Sequence, residues 1–202
     1  MIGEILNIAV FASHNGSNLQ AIIDACKSGE IRARVCVVLS NNSDSYALQR
    51  AADAGIDSFH VSAKALGGDD ALDAEVMRIL HSHNTDIIFL AGYLKKIGEG
   101  VLNEYHNRIF NIHPALLPKY GGKGMYGMNV HKAVIEAKET VSGITIHRAN
   151  QEYDEGEVIA QTTVAISPSD TVETLAEKIL VREHTFIVEV LSKIIDGKIK
   201  TY

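Results

Sequence analysis

Short runs of β-branched residues alternate through the first half of the chain with stretches whose apolar positions recur every three or four residues. That alternation builds a mostly parallel, twisted sheet covered by helices on both faces. Residues 7–12 read as the first strand, and the helix after it carries Leu19, Ile22, Ile23 and Cys26 along one face. Residues 35–39 form an uninterrupted apolar run, which suits a strand buried on both sides. Residues 41–45 are turn material, and the next helix, with Ala47, Leu48, Ala51 and Ala52 inward, is stopped by Gly55. A short strand at 59–61 leads into a loop holding Gly67 and Gly68. An amphipathic helix at 69–83 follows, then buried strands at 87–90 and 109–112.

Beyond residue 120 the pattern changes. A glycine-rich loop, GGKGMYG, precedes a helix at 130–137 and two strands at 143–147 and 158–164. These two strands are expected to extend the sheet as an antiparallel edge. A long helix at 171–195 closes the chain, opened by Asp170 with Glu173 as its capping pair and ended by Gly197. The fold class is therefore α/β, and residues 1–202 are read as one domain, since 202 residues support one substantial core and no linker or repeat interrupts them.

Composition narrows the function. A formal charge of -6 argues against an electrostatic grip on nucleic acid, which needs a clustered basic face. Cys26 and Cys36 lie in apolar runs without metal-type pairing and read as reduced core residues. None of the nine histidines sits at zinc-type spacing, so no metal is expected. The opening MIGEILNIAVFAS lacks a basic leader, and no stretch approaches the roughly 20 apolar residues of a membrane span. The expectation is a cytoplasmic protein without a membrane partner. Its oligomeric state is not legible.

Three sites carry candidate chemistry. Asn15-Gly16-Ser17-Asn18 joins a strand to an amphipathic helix, where amides at the helix N-terminus can hold a phosphate. The competing reading is that Ser17 merely caps the helix. Neither a GxGxxG nor a Gly-Lys-Ser/Thr loop is present. In Asn111-Ile112-His113-Pro114, strand alternation places Asn111 and His113 on one side, with Pro114 halting the ladder. Glu152-Tyr153-Asp154-Glu155-Gly156 is an acidic loop between strands, readable as a solvated turn or as the source of a carboxylate that raises the pKa of His113. His147, at the end of its strand, reads as structural or as a supporting residue.

Taken together, SHNGSNLQAIIDACKSG, LAGYLKKI, NIHPALLPKYGG and EYDEGEVIAQ resemble the phosphoribosylglycinamide formyltransferases, in the family's order and across nearly the whole chain. The resemblance implies transfer of a formyl group from 10-formyltetrahydrofolate, as co-substrate, to the amine of glycinamide ribonucleotide in purine synthesis. It makes Asn111, His113 and Asp154 the catalytic trio. Asn111 would donate to the oxyanion, and His113, held protonated by Asp154, would act as general acid. On the ribonucleotide side it implies Gly16, Ser17, Asn18, Pro114 and Glu183. On the folate side it implies Tyr93, Leu94, Lys95, Lys96, Ile97 and Asn111, with Thr145 holding a relay water. The chain departs from better-known members in its longer GGKGMYGMNVHKAV loop, in Asp69 where some carry arginine, and in Glu155 after Asp154.

Related activities differ in ways the sequence addresses. Methionyl-tRNA formyltransferase resembles this chain in its Asn-x-His-Pro segment but implies a further domain and a basic surface. Formyltetrahydrofolate hydrolase implies an added amino-terminal domain and no phosphate-bearing acceptor. A pure binding module has no need of Asn111, His113 and Asp154 together.

Overall fold

The computed structural model describes residues 5–201; Met1 to Glu4, part of the segment read above for a leader, and Tyr202 lie outside the described residues. Seven strands form one sheet in the order β3-β2-β1-β4-β5-β6-β7. Strands β1 (Leu6–Phe11), β2 (Ala33–Ser40), β3 (Ser58–His60), β4 (Ile87–Leu90) and β5 (Ile109–His113) run parallel. Strands β6 (Val141–Arg148) and β7 (Val158–Ala165) add the expected antiparallel extension.

Strand alternation divides the apolar residues between two cores. Ile8, Val10, Ile87, Phe89, Phe110 and Ile112 face one side, packed with α1 (Ser17–Ser28) and α7 (Val172–Ile195). Ala9, Phe11, Ile88, Leu90 and Ile109 face the other, against α4 (Asp69–Ser82) and α5 (Glu99–Glu104). Helices α2 (Tyr46–Asp53), α3 (Ala63–Leu66) and α6 (Met128–Glu136) complete the chain.

One local expectation is corrected, two short helices are added and one competing reading is excluded. Helix α7 is opened by Thr171, which exchanges hydrogen bonds with Thr174 in a capping box; Asp170 instead accepts from Ser167 N–H and pairs with Lys178. Helices α3 and α5 fall where the apolar pattern gives no periodic signal, each being too short to show one. Ser17 does not cap α1: the N-cap is Gly16 at φ 68, without any side-chain cap.

The strand order reverses between β1 and β4, so their carboxyl ends open the crevice where ligands of open α/β sheets gather. The segments leaving these two strands are tied together. Ser13 N–H donates to the Gly92 carbonyl, and Leu94 N–H donates to Ser13 Oγ at 2.9 Å. Gly16 sits so close to α2 that a β-carbon there would come 2.7 Å from Ala47 Cβ. Both its left-handed φ and this approach demand glycine. We expect Gly16→Ala to lower stability by about 1 to 3 kcal/mol in urea unfolding, from strain plus overpacking; an unchanged midpoint would show that α2 yields freely.

Candidate active site

A cavity of about 530 Å³ opens at the carboxyl ends of β4 and β5. It is lined by Asn18, residues 92–97, Asn111, His113, Pro114, Asp154 and Glu183. Gly16 and Ser17 line a smaller adjoining cavity with the free N-terminus of α1, and Asn18, Gly92 and Leu94 border both. Of the residues proposed from the sequence, Thr145 alone borders neither cavity.

Antiparallel register assembles the polar cluster. In the β5–β6 pair Asn111 stands opposite His147 and His113 opposite Thr145. The β6–β7 loop then returns Asp154 over them. Asp154 adopts φ 61, a left-handed conformation that aspartate tolerates better than most residues. Two residues on, Gly156 lies against the Arg148 carbonyl where no β-carbon fits. Asp154 Oδ2 sits 3.5 Å from His113 Nδ1 and accepts from Gly122 N–H at 2.9 Å, while Oδ1 sits 3.5 Å from His147 Nε2.

The tautomers follow from the carbonyl partners, which can only accept. His113 Nε2 lies 2.8 Å from the Tyr120 carbonyl and therefore carries a proton, leaving Nδ1 toward Asp154. His147 Nδ1 lies 2.8 Å from the Arg148 carbonyl and carries a proton, so in the neutral ring Nε2 is bare and accepts from Asn111 Nδ2 at 2.9 Å. Asn111 Nδ2 also donates to Asp154 Oδ1 at 3.4 Å.

The expectation that Asp154 holds His113 protonated is corrected. His113 is only 3% exposed, and burial pushes its pKa below the ordinary value, outweighing the Asp154 charge and the Tyr120 carbonyl that pull it up. In Asp154 burial acts upward, but His147, His113 and the Gly122 amide together hold the carboxyl below the usual range. The resting pair is a carboxylate beside a neutral imidazole with one open nitrogen, a site ready to receive a proton.

Thr145 is also corrected. Its hydroxyl donates to the Ala115 carbonyl at 2.7 Å and accepts from Leu117 N–H and Gln161 Nε2 at 3.0 and 2.9 Å. One donor and two lone pairs are thereby used, and the side chain is fully buried, so it braces the loop after β5 and has no capacity left for a water. Lys96 is engaged too, 3.4 Å from Glu152 and 5.4 Å from the centre of the Tyr153 ring, across the cavity mouth. Both side chains of the ion pair are largely exposed, so the pair contributes little.

Sequence reasoning did not single out His131, which is buried in α6, borders the cavity and leaves Nδ1 unpartnered. In the sequence it sits between Val130 and Val134 and reads as part of a helix stripe. Glu183 of α7 is 7% exposed and accepts from Asn18 Nδ2 at 2.9 Å. Burial pushes its pKa up to about 7, with the Asn18 hydrogen bond opposing.

A folded-state pKa above the ordinary 4.5 means that the contribution of Glu183 to stability is full below about pH 4.5 and is lost as pH rises through about 7. We expect Glu183→Gln to match the parent near pH 5 and to exceed it by about 3 kcal/mol near pH 9 in urea unfolding. A difference independent of pH would show that the carboxyl is better solvated than its burial indicates.

Comparison with known proteins agrees with this architecture. The formyl transferase family model matches residues 6–191. The chloroplastic phosphoribosylglycinamide formyltransferase of Arabidopsis thaliana is 40% identical over 96% of this chain, which spans 66% of that protein's length. The phosphoribosylglycinamide formyltransferase of Escherichia coli is 35% identical over 98% of this chain and 91% of its own. The crystal structure of glycinamide ribonucleotide transformylase 1 from Symbiobacterium toebii superposes with a TM-score of 0.89 at 37% identity, covering 96% of this chain and 90% of that one. By sequence, fold and the order of its motifs, the chain belongs to the formyl transferase family, among the phosphoribosylglycinamide formyltransferases.

Proposed function

We propose that the protein transfers the formyl group of 10-formyltetrahydrofolate to the amine of glycinamide ribonucleotide, releasing tetrahydrofolate. The observation that carries this reading is the convergence of Asn111, His113 and Asp154 in one cavity, between an apolar slot and the uncapped N-terminus of α1. The segment 93–97 gives the slot Tyr93, Leu94 and Ile97, a wall suited to a flat heteroaromatic ring. The amides at Gly16, Ser17 and Asn18 suit a phosphate at the positive end of the helix dipole. Pro114 and Glu183 then fall on the ribonucleotide side, with Glu183 and Asn18 offering oxygen acceptors to hydroxyl groups.

Attack of the amine on the formyl carbon forms the new C–N bond and places negative charge on the formyl oxygen. Collapse breaks the bond to the folate nitrogen. The attacking amine loses one proton and the leaving nitrogen gains one. The His113–Asp154 pair holds that proton in between: neutral His113 accepts it, and the carboxylate stabilises the resulting imidazolium. A side chain that begins neutral can take the proton, which a resting imidazolium cannot. Asn111 serves the formyl oxygen. Among the described residues no helix is long and apolar enough to cross a membrane.

The test is an absorbance assay of deformylated folate with and without glycinamide ribonucleotide. Turnover is expected only with the ribonucleotide; release without an acceptor would identify a hydrolase. His113→Ala and Asp154→Asn are each expected to lower kcat by about 10²- to 10⁴-fold while circular dichroism stays unchanged. Near-normal turnover by Asp154→Asn would remove the carboxylate from the proton's path.

A further inference from the structure

We propose that His147 is a positioning residue whose protonation on Nε2 reverses the Asn111 carboxamide, so that Asn111 turns from presenting its carbonyl to the cavity to presenting its N–H donors. The inference rests on the function proposed above for its consequence, but its geometry stands independently.

In the neutral state the arrangement is determined. The Arg148 carbonyl fixes the ring proton on Nδ1, so bare Nε2 can only accept, and Asn111 must turn Nδ2 toward it. The second amide hydrogen points to Asp154 Oδ1 at 3.4 Å. Both donors of Asn111 are thus directed away from the reacting centre, and Oδ1 is the atom left for the cavity. An oxygen acceptor there opposes a developing oxyanion, although it suits the N–H of an incoming amine.

A proton on His147 Nε2 changes the sign of that contact. Two donors cannot face each other at 2.9 Å, so the carboxamide rotates: Oδ1 accepts from Nε2–H, and Nδ2 is released toward the formyl oxygen. The titratable groups facing His147 are Asp154, whose Oδ1 lies 3.5 Å from Nε2, and His113 on the neighbouring strand β5. The Arg148 guanidinium is turned away toward Glu157 and the carbonyls of Asn107 and Lys200. His147 is 2% exposed, so its ring is held in place while the proton count changes.

The decisive measurement needs no substrate: a titration of isotope-labelled protein from about pH 5 to about pH 9, following the His147 ring and the Asn111 carboxamide by NMR. The Asn111 N–H signals are expected to move with the midpoint of His147 and to become insensitive to pH in His147→Gln, whose amide can pair either way. Asn111 signals that stay fixed while His147 titrates would overturn the proposal. So would movement that survives in His147→Gln, or a His147 ring in one protonation state throughout. Kinetics supply the second arm. In His147→Gln kcat should stay within about tenfold of the parent and lose the pH limb that tracks His147, whereas His147→Phe should lower kcat about 100-fold with KM for folate unchanged. A pH limb intact in His147→Gln would equally overturn it. Failure of formyl transfer in the parent protein would instead reject the proposed function and leave the NMR result standing.

Discussion

The antiparallel pairing of β5 with β6 is the constraint on which the site depends. Parallel strands alone would bring Asn111 and His113 to the rim of the sheet and leave them facing solvent. The reversed strand sets His147 and Thr145 directly opposite them. From that register two supports follow. Thr145 binds two groups of the loop after β5, which holds the Tyr120 carbonyl that fixes the His113 ring, and takes its third hydrogen bond from Gln161 of β7. His147 in turn holds Asn111. The β6–β7 loop can bring Asp154 back over both rings because Gly156 packs on the Arg148 carbonyl and Asp154 accepts a left-handed backbone.

Desolvation, more than charge pairing, sets the resting state of His113 and Glu183, whereas at Asp154 its hydrogen-bonding and charged partners outweigh it. A carboxylate 3.5 Å from an imidazole favours the imidazolium, yet in a ring almost without solvent contact the loss of hydration weighs more. The same contest at Glu183, without any cation, lifts the carboxyl to about 7. Burial thus leaves one buried acid close to protonation and one buried base unprotonated. A site with those two properties can exchange a proton near neutral pH beside the standing charge of the Asp154 carboxylate.

Much of this was legible in the sequence because strands and amphipathic helices announce themselves by period. The buried runs at 35–39 and 87–90, the stripe of α1 and the antiparallel edge all fall where the pattern puts them. The short helices α3 and α5 did not, since four or six residues hold too little of a turn repeat. Alternation in β5 correctly put Asn111 and His113 on one side. What it could not give was the identity of the residues across the strand pair, which is a matter of register. The role of Thr145 and the protonation of His113 therefore lie outside the pattern: one depends on three long-range hydrogen bonds, the other on depth beneath the surface. A histidine among valines on a helix, as His131 is, looks like packing until its buried Nδ1 is seen to lack a partner.

The two cavities also share a mechanical basis. Ser13 is buried at the end of β1, where its hydroxyl donates to Asn41 Oδ1 at 2.5 Å and accepts from Leu94 N–H. A hydroxyl used in both senses links the segment leading into α1 with the segment leaving β4 and with the end of β2. The backbone bond from Ser13 N–H to the Gly92 carbonyl doubles the link. Neither segment can shift without breaking a buried hydrogen bond, at a cost of about 1 to 3 kcal/mol for each group left unsatisfied. The helix N-terminus and the apolar slot are consequently held at one separation by the β1–β4 neighbour pair, so the two cavities join at Asn18, Gly92 and Leu94 in a fixed relation.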